Sequence, residues 1–151
     1  MSDLRIRRMK TADLEAVYNL NCQVFPEPWS RQSFSAELAE KQKSLLHVAY
    51  LDGNLAAYSS CCLLGNEAEL MHLAVAPNRR RCGIADKLLH HVSDTVYQSG
   101  VDTLYLEVRN SNCAARSLYE KHGFEAVGQR PGYYALDSED AVLMRKFLKE
   151  G

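Results

Sequence analysis

The chain has 151 residues, the size of one ordinary domain, and its 18 basic and 19 acidic residues leave a formal net charge of -1. This balance argues against a surface built to bind a polyanion, so we predict no nucleic-acid partner. No apolar run approaches the roughly 18 residues that a membrane-spanning helix needs, and we predict no membrane partner. The N-terminus lacks a signal-peptide pattern, and the five cysteines are an odd number. We therefore predict one cytoplasmic domain over residues 1–151.

Strand and helix patterns alternate along the first half of the chain. Alternating or apolar runs predict strands over residues 4–9, 45–51, 55–64 and 68–75. Helical spacing predicts a first helix that Thr11 caps and that ends before Pro26. A second, shorter helix follows the cap Ser30. The triplet Asp52-Gly53-Asn54 predicts a tight hairpin turn between the second and third strands.

The second half of the chain predicts two longer helices and three strands. The helices lie between Gly83 and Gly100 and over residues 112–122, and the strands cover 103–108, 125–130 and 142–147. Residues 131–134 are rich in turn formers and separate the last two strands. The resulting order, β-α-α-β-β-β-α-β-α-β-β, predicts an α/β (α+β) fold with a mixed sheet. The strand-helix-strand crossover from residue 68 to 108 predicts a parallel pair of strands.

The stretch Asn78-Arg79-Arg80-Arg81-Cys82-Gly83-Ile84-Ala85 joins the fourth predicted strand to the next helix. A helix N-terminus presents unpaired N–H groups and a partial positive charge, so it binds phosphate readily. Gly83 allows the backbone to approach such an anion, and Ala85 is the smallest alternative two positions on. The spacing Arg80-x-x-Gly83-x-Ala85 is typical of a pyrophosphate loop, although no P-loop or Rossmann glycine pattern is present. A solvated arginine run fits these residues equally well.

Two further patterns carry side chains suited to chemistry. Asn112, Ala115 and Tyr119 share one face of a predicted helix, where they offer an amide, a gap and a phenol. Glu107 lies within the apolar strand 104–108, where a carboxylate is costly unless it is solvated or has a role. Each pattern also has a structural explanation, since Tyr119 would suit a core and Glu107 would suit a strand end in water.

Together these motifs resemble the GCN5-related N-acetyltransferase (GNAT) superfamily. Arg80-x-x-Gly83-x-Ala85 matches its acetyl-CoA loop, and its later signature matches Asn112 with Leu118-Tyr119-Glu120-x-x-Gly123-Phe124. Three further segments are similar to RimI-type ribosomal-protein-alanine N-acetyltransferases: Pro28-Trp29-Ser30, residues 106–112, and Tyr133-Tyr134 followed by Glu139-Asp140-Ala141. The resemblance implies a mostly antiparallel sheet of about seven strands flanked by about four helices. In that fold a parallel strand pair is splayed around acetyl-CoA.

The resemblance also implies the roles of individual residues. Glu107 is the general base for the amine, and Tyr119 is the general acid for the departing thiolate, in a direct transfer. The implied contacts with the co-substrate acetyl-CoA are Leu73, Ala74, Val75, Arg80, Arg81, Cys82, Gly83, Ile84, Ala85, Asp86, Asn112, Ala115 and Tyr119. The implied contacts with the acceptor are Trp29, Tyr133 and Tyr134.

Two residues on the neighbouring strand are alternative bases. Glu69 matches the position of the base in some members of the superfamily, and His72 has a suitable pKa class. Strand alternation predicts that these two side chains point to opposite faces, so at most one would face the acceptor. The match to the subfamily favours Glu107.

Cysteine and histidine residues suggest two other chemistries. Cys82 lies at a helix N-terminus, where a thiol can become reactive and form a covalent acetyl intermediate. Its loop is expected to face phosphates rather than the acetyl group, so we predict no nucleophilic role. His90 and His91 point to different helix faces and lack metal-ligand spacing. We predict that both lie on the surface and that the protein has no metal site.

The resemblance implies that the acceptor is a protein N-terminal α-amino group, in particular the N-terminal alanine of a ribosomal small-subunit protein. We therefore predict a peptide partner from a ribosomal protein and a monomer or weak dimer. Other protein N-termini, a lysine side chain and a small amine remain alternative acceptors. A purely acyl-CoA-sensing domain is disfavoured because Glu107 and Tyr119 are both present.

Overall fold

The computed structural model of the chain describes residues 3–134 and 137–148. The strands are β1 Leu4–Arg8, β2 Ser44–Leu51, β3 Asn54–Leu64, β4 Glu67–Val75, β5 Thr103–Arg109, β6 Glu125–Tyr134 and β7 Glu139–Phe147. The helices are α1 Leu14–Val24, α2 Arg31–Ala39, α3 Ile84–Gln98 and α4 Cys113–Lys121. Within these residues the predicted order of strands and helices is confirmed.

All seven strands form one sheet in the spatial order β1-β2-β3-β4-β5-β7-β6. Strands β4 and β5 are parallel, and the other neighbours are antiparallel. Helix α3 connects the parallel pair, because such strands cannot be joined by a tight turn. The predicted mixed, mostly antiparallel α/β architecture is therefore confirmed.

The sheet is covered on both faces. Helix α3 buries Leu88, Leu89, Val92 and Val96 completely against one face, where Leu104 and other β-strand residues complete the larger core. Helices α1 and α2 cover the other face with a smaller cluster. In the described part of the chain, no helix is long and apolar enough to cross a membrane.

The start of α1 differs from the prediction, because Asp13 rather than Thr11 organises it. Residues Thr11–Asp13 form a short 3-10 turn ahead of α1. The buried carboxylate of Asp13 accepts both guanidinium N–H groups of Arg7, at 2.8 and 2.9 Å, and the Tyr50 hydroxyl at 2.7 Å. The hydrogen bond from Arg7 is the main cause that lowers the pKa of Asp13 to about 2. Asp13 thus ties the first helix to β1 and β2 instead of serving only a helix end.

Strand β6 is longer than predicted, since the expected turn at residues 131–134 belongs to it. Its pairing with β7 shifts register between Arg130 and Tyr134, and Tyr134 again pairs with Glu139. Gly132 accommodates this irregularity with a φ of 62°, and its N–H donates to Asp140 Oδ1 at 2.9 Å. Turn-forming residues therefore mark a bulged strand here rather than its end.

Strand β4 contains a bulge at Met71. Leu70 pairs with Cys61 of β3, whereas His72 pairs with the adjacent Ser60, so Met71 has no residue opposite it. The extra residue reverses the alternation along the strand. Glu69 and His72 consequently point to the same face of the sheet, toward α1 and α2. The prediction that they lie on opposite faces is wrong, because simple alternation holds only in an unbulged strand.

The segment between α1 and α2 is fixed to β4 by stacked rings. The imidazole of His72 lies between Phe25 and Trp29, with centroid separations of 4.3 and 4.2 Å. Tyr58 Oη lies 2.9 Å from His72 Nδ1. The Asn21 side chain donates to the Trp29 carbonyl oxygen at 2.8 Å and accepts from the Trp29 N–H at 3.1 Å. We call this group of five residues the aromatic clamp.

We expect the aromatic clamp to make stability depend on pH. Burial lowers the pKa of His72 to about 4, whereas a histidine in an unfolded chain has a pKa of about 6.5. As the pH falls below that value the unfolded chain takes up a proton that folded His72 does not, so stability decreases. The unfolding free energy of wild type should decrease from pH 7 to pH 4.5. In His72→Asn this decrease should be smaller by about 2.5 kcal/mol, as measured by urea denaturation at the two pH values.

The matched control for this prediction is His90→Asn, which removes a histidine from the exposed surface of α3. It should change the loss between the two pH values by no more than about 0.5 kcal/mol. An unchanged loss in the His72 variant would show that this imidazole does not stay neutral in the fold.

Candidate active site

The centre of the sheet opens where β4 and β5 stop pairing. Their parallel register runs from Glu67 opposite Thr103 to Leu70 opposite Leu106 and ends there. Both strands continue, but β4 pairs only with β3 and β5 pairs only with β7. The edges that face each other beyond Leu106 therefore have no strand partner in the described residues. Their backbone N–H and C=O groups are available to an extended ligand, as at a sheet edge.

The start of α3 follows directly from the opened end of β4. Arg81 and Gly83 have φ values of 64° and 75°, which turn the chain into the helix. A Cβ added at Gly83 would meet no protein atom within 4 Å, so the space in front of this backbone is open. Arg80 Nε donates to the Val75 carbonyl oxygen at 3.4 Å and links the loop to β4. The first N–H groups of α3 can therefore receive an anion at this point.

The one acid in the first turn of α3, Asp86, is neutralised from α4. Lys121 Nζ and His122 Nε2 each lie 3.0 Å from Asp86 Oδ1. The hydrogen bond from His122, followed by that from Lys121, lowers the pKa of Asp86. These contacts offset a negative charge that would otherwise repel an anion at the helix start.

Glu107 lies on β5 just beyond the last paired residue. Its side chain is 9% exposed, and its Oε1 is 3.4 Å from a guanidinium nitrogen of Arg130 on β6. Burial, followed by the negative charge of Glu107, raises the pKa of the nearby Tyr133 phenol. Glu107 Oε2 is buried and has no hydrogen-bond partner among the described residues. An unpaired buried carboxylate oxygen is costly, so this atom is suited to accepting a proton from a bound group.

Tyr119 approaches the opening from the opposite layer. It is buried within the core under α3, and its ring packs edge-on against Phe124 at 5.7 Å. Burial, with smaller contributions from nearby Tyr134 and Cys61, raises the pKa of the Tyr119 phenol above its ordinary value. The hydroxyl therefore stays protonated at neutral pH and can act as a proton donor. Cys61 is the cross-strand partner of Leu70, which locates Tyr119 near the point where the strands diverge.

Asn112 and Ala115 occupy the start of α4. Asn112 precedes the helix as its N-cap, and its side-chain oxygen accepts the Ala115 N–H at 3.1 Å. The predicted helical face of Asn112, Ala115 and Tyr119 is thus only partly formed, because a capping residue lies outside the helix proper. Ala115 packs half-buried against the main core.

Aromatic side chains border the α1/α2 side of the opening. Trp29 is held by the aromatic clamp on β4, and Tyr133 and Tyr134 lie at the end of β6 with their rings 5.1 Å apart. The guanidinium of Arg130 lies 5.4 Å from the Tyr133 ring, and that of Arg109 lies 4.1 Å from the Tyr134 ring. Burial, as the largest cause, raises the pKa of Tyr134 to about 12. The predicted acceptor residues Tyr133 and Tyr134 therefore lie beside Glu107.

Other predicted residues lie outside this group. Cys82 is exposed in the loop before α3, with its Sγ 3.6 Å from the Arg80 carbonyl oxygen. His90 is on the surface, 3.3 Å from Asp94, but His91 is half-buried with its ring 5.1 Å from that of His47. The expectation that both histidines lie on the surface is wrong for His91, because its side of α3 turns toward β2.

Two contributors were missed by the sequence analysis. Arg130 reaches Glu107 only because β6 pairs on the far side of β7, a placement that no local pattern indicates. Asn21 holds Trp29 from within the buried stripe of α1 that also contains Val17 and Leu20. A buried amide needs hydrogen-bond partners, so an asparagine within this apolar stripe could have identified Asn21 from the sequence.

Comparison with known proteins accords with this geometry. The acetyltransferase (GNAT) family matches residues 14–124 of the chain. The ribosomal protein bS18-alanine N-acetyltransferase of Escherichia coli strain K12 is 36% identical over 141 residues, which cover 92% of this chain and 94% of that protein. The enzyme of the same name from Salmonella typhimurium strain LT2 is 37% identical over 138 residues, covering 90% and 92%.

A solved structure has the same architecture over the full domain. The crystal structure of the ribosomal-protein-S18-alanine N-acetyltransferase from Escherichia coli superposes with a TM-score of 0.90 at 34% identity, covering 99% of this chain and 96% of that one. The sheet and helices described above thus belong to a fold that the two proteins share. The chain is a member of the acetyltransferase (GNAT) family.

Proposed function

We propose that this acetyltransferase moves the acetyl group of acetyl-CoA to the N-terminal α-amino group of a protein, with the alanine of ribosomal protein bS18 as the principal acceptor. The observation that carries the proposal is the buried, unpartnered Oε2 of Glu107 at the opening between β4 and β5. The full-length relatives that act on bS18 supply the identity of the acceptor. A ribosomal acceptor is consistent with a cytoplasmic enzyme.

The opening and the start of α3 fit two parts of acetyl-CoA, the pantetheine arm and the pyrophosphate. The unpaired backbone edge of Leu73, Ala74 and Val75 would bind the pantetheine arm as an added strand. The pyrophosphate would lie at the N-terminus of α3, against the backbone of Arg81 to Asp86. The remaining proposed contacts are the Arg80 side chain, Asn112 and Ala115.

The proton transfers follow from the placement of the two catalytic side chains. A protein α-amino group has a pKa of about 7.7–8.0, so much of it is protonated at neutral pH and must lose a proton before it attacks. Glu107 accepts that proton through Oε2. As the new N–C bond forms, the C–S bond breaks and the thiolate of coenzyme A takes a proton from Tyr119. A backbone N–H at Leu73 or Val75 would polarise the thioester carbonyl.

The acceptor would enter from the α1/α2 side. Trp29 on one side and Tyr133 with Tyr134 on the other side border the face where Glu107 lies. Rings of this kind combine apolar contact area with a polar edge, which suits the first residues of a peptide. Because the aromatic clamp fixes Trp29 before substrate binds, this side chain loses little conformational entropy on binding.

The pyrophosphate site is tested by Gly83→Ala. The added methyl group would project into the open space proposed for phosphate and would strain the positive φ, so KM for acetyl-CoA should rise at least about tenfold. Gly65→Ala is the matched control, because Gly65 also has a positive φ and open space but lies in the β3–β4 turn. Steady-state kinetics should show an unchanged KM in the control. Equal values of KM in both variants would exclude this site.

The catalytic pair is tested by Glu107→Gln and Tyr119→Phe. Each variant should lower kcat by about 10²-fold or more, as expected for loss of general acid–base catalysis, while the Kd for acetyl-CoA stays within about twofold. Glu120→Gln, an exposed neighbour of Tyr119 on α4, should keep the normal rate. Calorimetric titration with acetyl-CoA and turnover assays measure the two quantities. Near-normal turnover in both variants would contradict the mechanism.

The acceptor is tested with peptides that differ only in their first residue. We expect the bS18 N-terminal sequence with alanine first to be acetylated at least about tenfold faster than the same peptide starting with leucine, aspartate or lysine. Mass spectrometry of the products provides the rates. If no peptide is acetylated while a small amine is, the protein-acceptor assignment is wrong.

A further inference from the structure

Arg130 faces the proposed base from the edge of the sheet. It is on β6, immediately before the register shift with β7, and its guanidinium reaches across to Glu107 Oε1 at 3.4 Å. The side chain is 58% exposed and lies against the ring of Tyr133. The position of Arg130 therefore depends on the bulged part of β6 and not on α3 or on the edges of β4 and β5.

A second carboxylate shares the same face of the sheet. Glu69 of β4 is opposite Tyr105 of β5, and Glu107 is two residues further along that strand. Burial and then the negative charge of Glu107 raise the pKa of Glu69, and Arg130 opposes this effect. Two partly buried carboxylates on one face repel each other, and a nearby cation offsets that repulsion.

The charged and titratable groups that face Glu107 from the neighbouring elements are few. They are Glu69 on β4 together with Arg130, Tyr133 and Tyr134 on β6. Arg109 on β5 is also close to Tyr134, but its guanidinium is engaged by Asp137 at 2.7 Å and by Glu139 at 3.2 Å. Arg145 on β7 is opposite Tyr105 on the same face, but its guanidinium lies 3.5 Å from Glu125 and packs over the Phe147 ring. Among the described residues, Arg130 is thus the cation that contacts the carboxylate pair.

We propose that Arg130 is a positioning residue for the reaction: it is the counter-ion of the Glu69–Glu107 pair and holds Glu107 through Oε1, so that Oε2 remains available to the amine. This inference rests on the proposed function. It assigns a role to a side chain that touches the base rather than the reacting atoms.

Removing this charge has a consequence that depends on pH. Without Arg130 the protonated form of the carboxylate pair is favoured, and a protonated Glu107 cannot take a proton from the amine. Activity should therefore be lost on the acid side of the pH–rate profile and should recover as the pH rises. A role in packing alone would lower the rate by the same factor at every pH.

The test compares kcat/KM for the alanine-starting peptide across the pH range in wild type, Arg130→Gln and Arg130→Lys. Arg130→Gln should be about tenfold slower on the acid limb and within about twofold of wild type on the alkaline side. Arg130→Lys should restore most of the loss because it keeps the charge. Arg5→Gln is the matched control. Arg5 also pairs with a carboxylate, that of Asp3, but it is on β1 at the opposite edge of the sheet. It should leave the profile unchanged.

A second measurement separates this inference from the proposed function. NMR titration of the glutamate side-chain carboxyl carbons follows ionisation without any substrate. In Arg130→Gln, the titration midpoint of the Glu69 resonance should rise relative to wild type, because the cation that opposes protonation of this carboxylate is gone. An unchanged midpoint, or a rate loss independent of pH, would overturn the role of Arg130. If wild type acetylates no peptide but the Arg130→Gln variant shows the NMR shift relative to wild type, only the proposed acceptor is rejected.

Discussion

The active site depends on the place where β4 and β5 stop pairing. Each strand keeps its outer neighbour, β3 or β7, so the two can separate without leaving the sheet. The bulge at Met71 lies directly after the last parallel pair, at Leu70, and a bulge bends and twists the strand that carries it. This separation exposes a backbone edge inside the sheet and brings the end of β4 to the start of α3. The strand edge for an extended arm and the helix terminus for an anion thus arise from one irregularity.

On each side of this opening, carboxylates lie next to cationic side chains from another element of the fold. At the start of α3, Asp86 is neutralised by groups from α4, so the helix end keeps its attraction for an anion. On the other face, Glu107 and Glu69 have Arg130 as their nearby cation. Both arrangements use contacts between elements that are distant in sequence. The functional electrostatics are therefore a product of the sheet order rather than of any single motif.

The sequence predicted the parts of the site that depend on local pattern and missed those that depend on register. Gly83 and the amphipathic α3 could be recognised because glycine and helical spacing are local signals. The shared face of Glu69 and His72 could not, since one unpaired residue in β4 reverses the alternation. The extension of β6 through residues 131–134 was missed for a similar reason, because turn-forming residues also occur in bulges. Arg130 required the knowledge that β7 lies between β5 and β6.

We propose that Glu107 activates an N-terminal α-amine for direct acetyl transfer. The most direct test of this role is a peptide that carries both a free α-amino group and one internal lysine, incubated with acetyl-CoA and the wild-type or Glu107→Gln protein. Fragment mass spectrometry then locates the acetyl group. We expect modification at the α-amine alone in wild type and its near-complete loss in the variant. Acetylation of the lysine in preference to the α-amine, or equal α-amine rates in the two proteins, would contradict it.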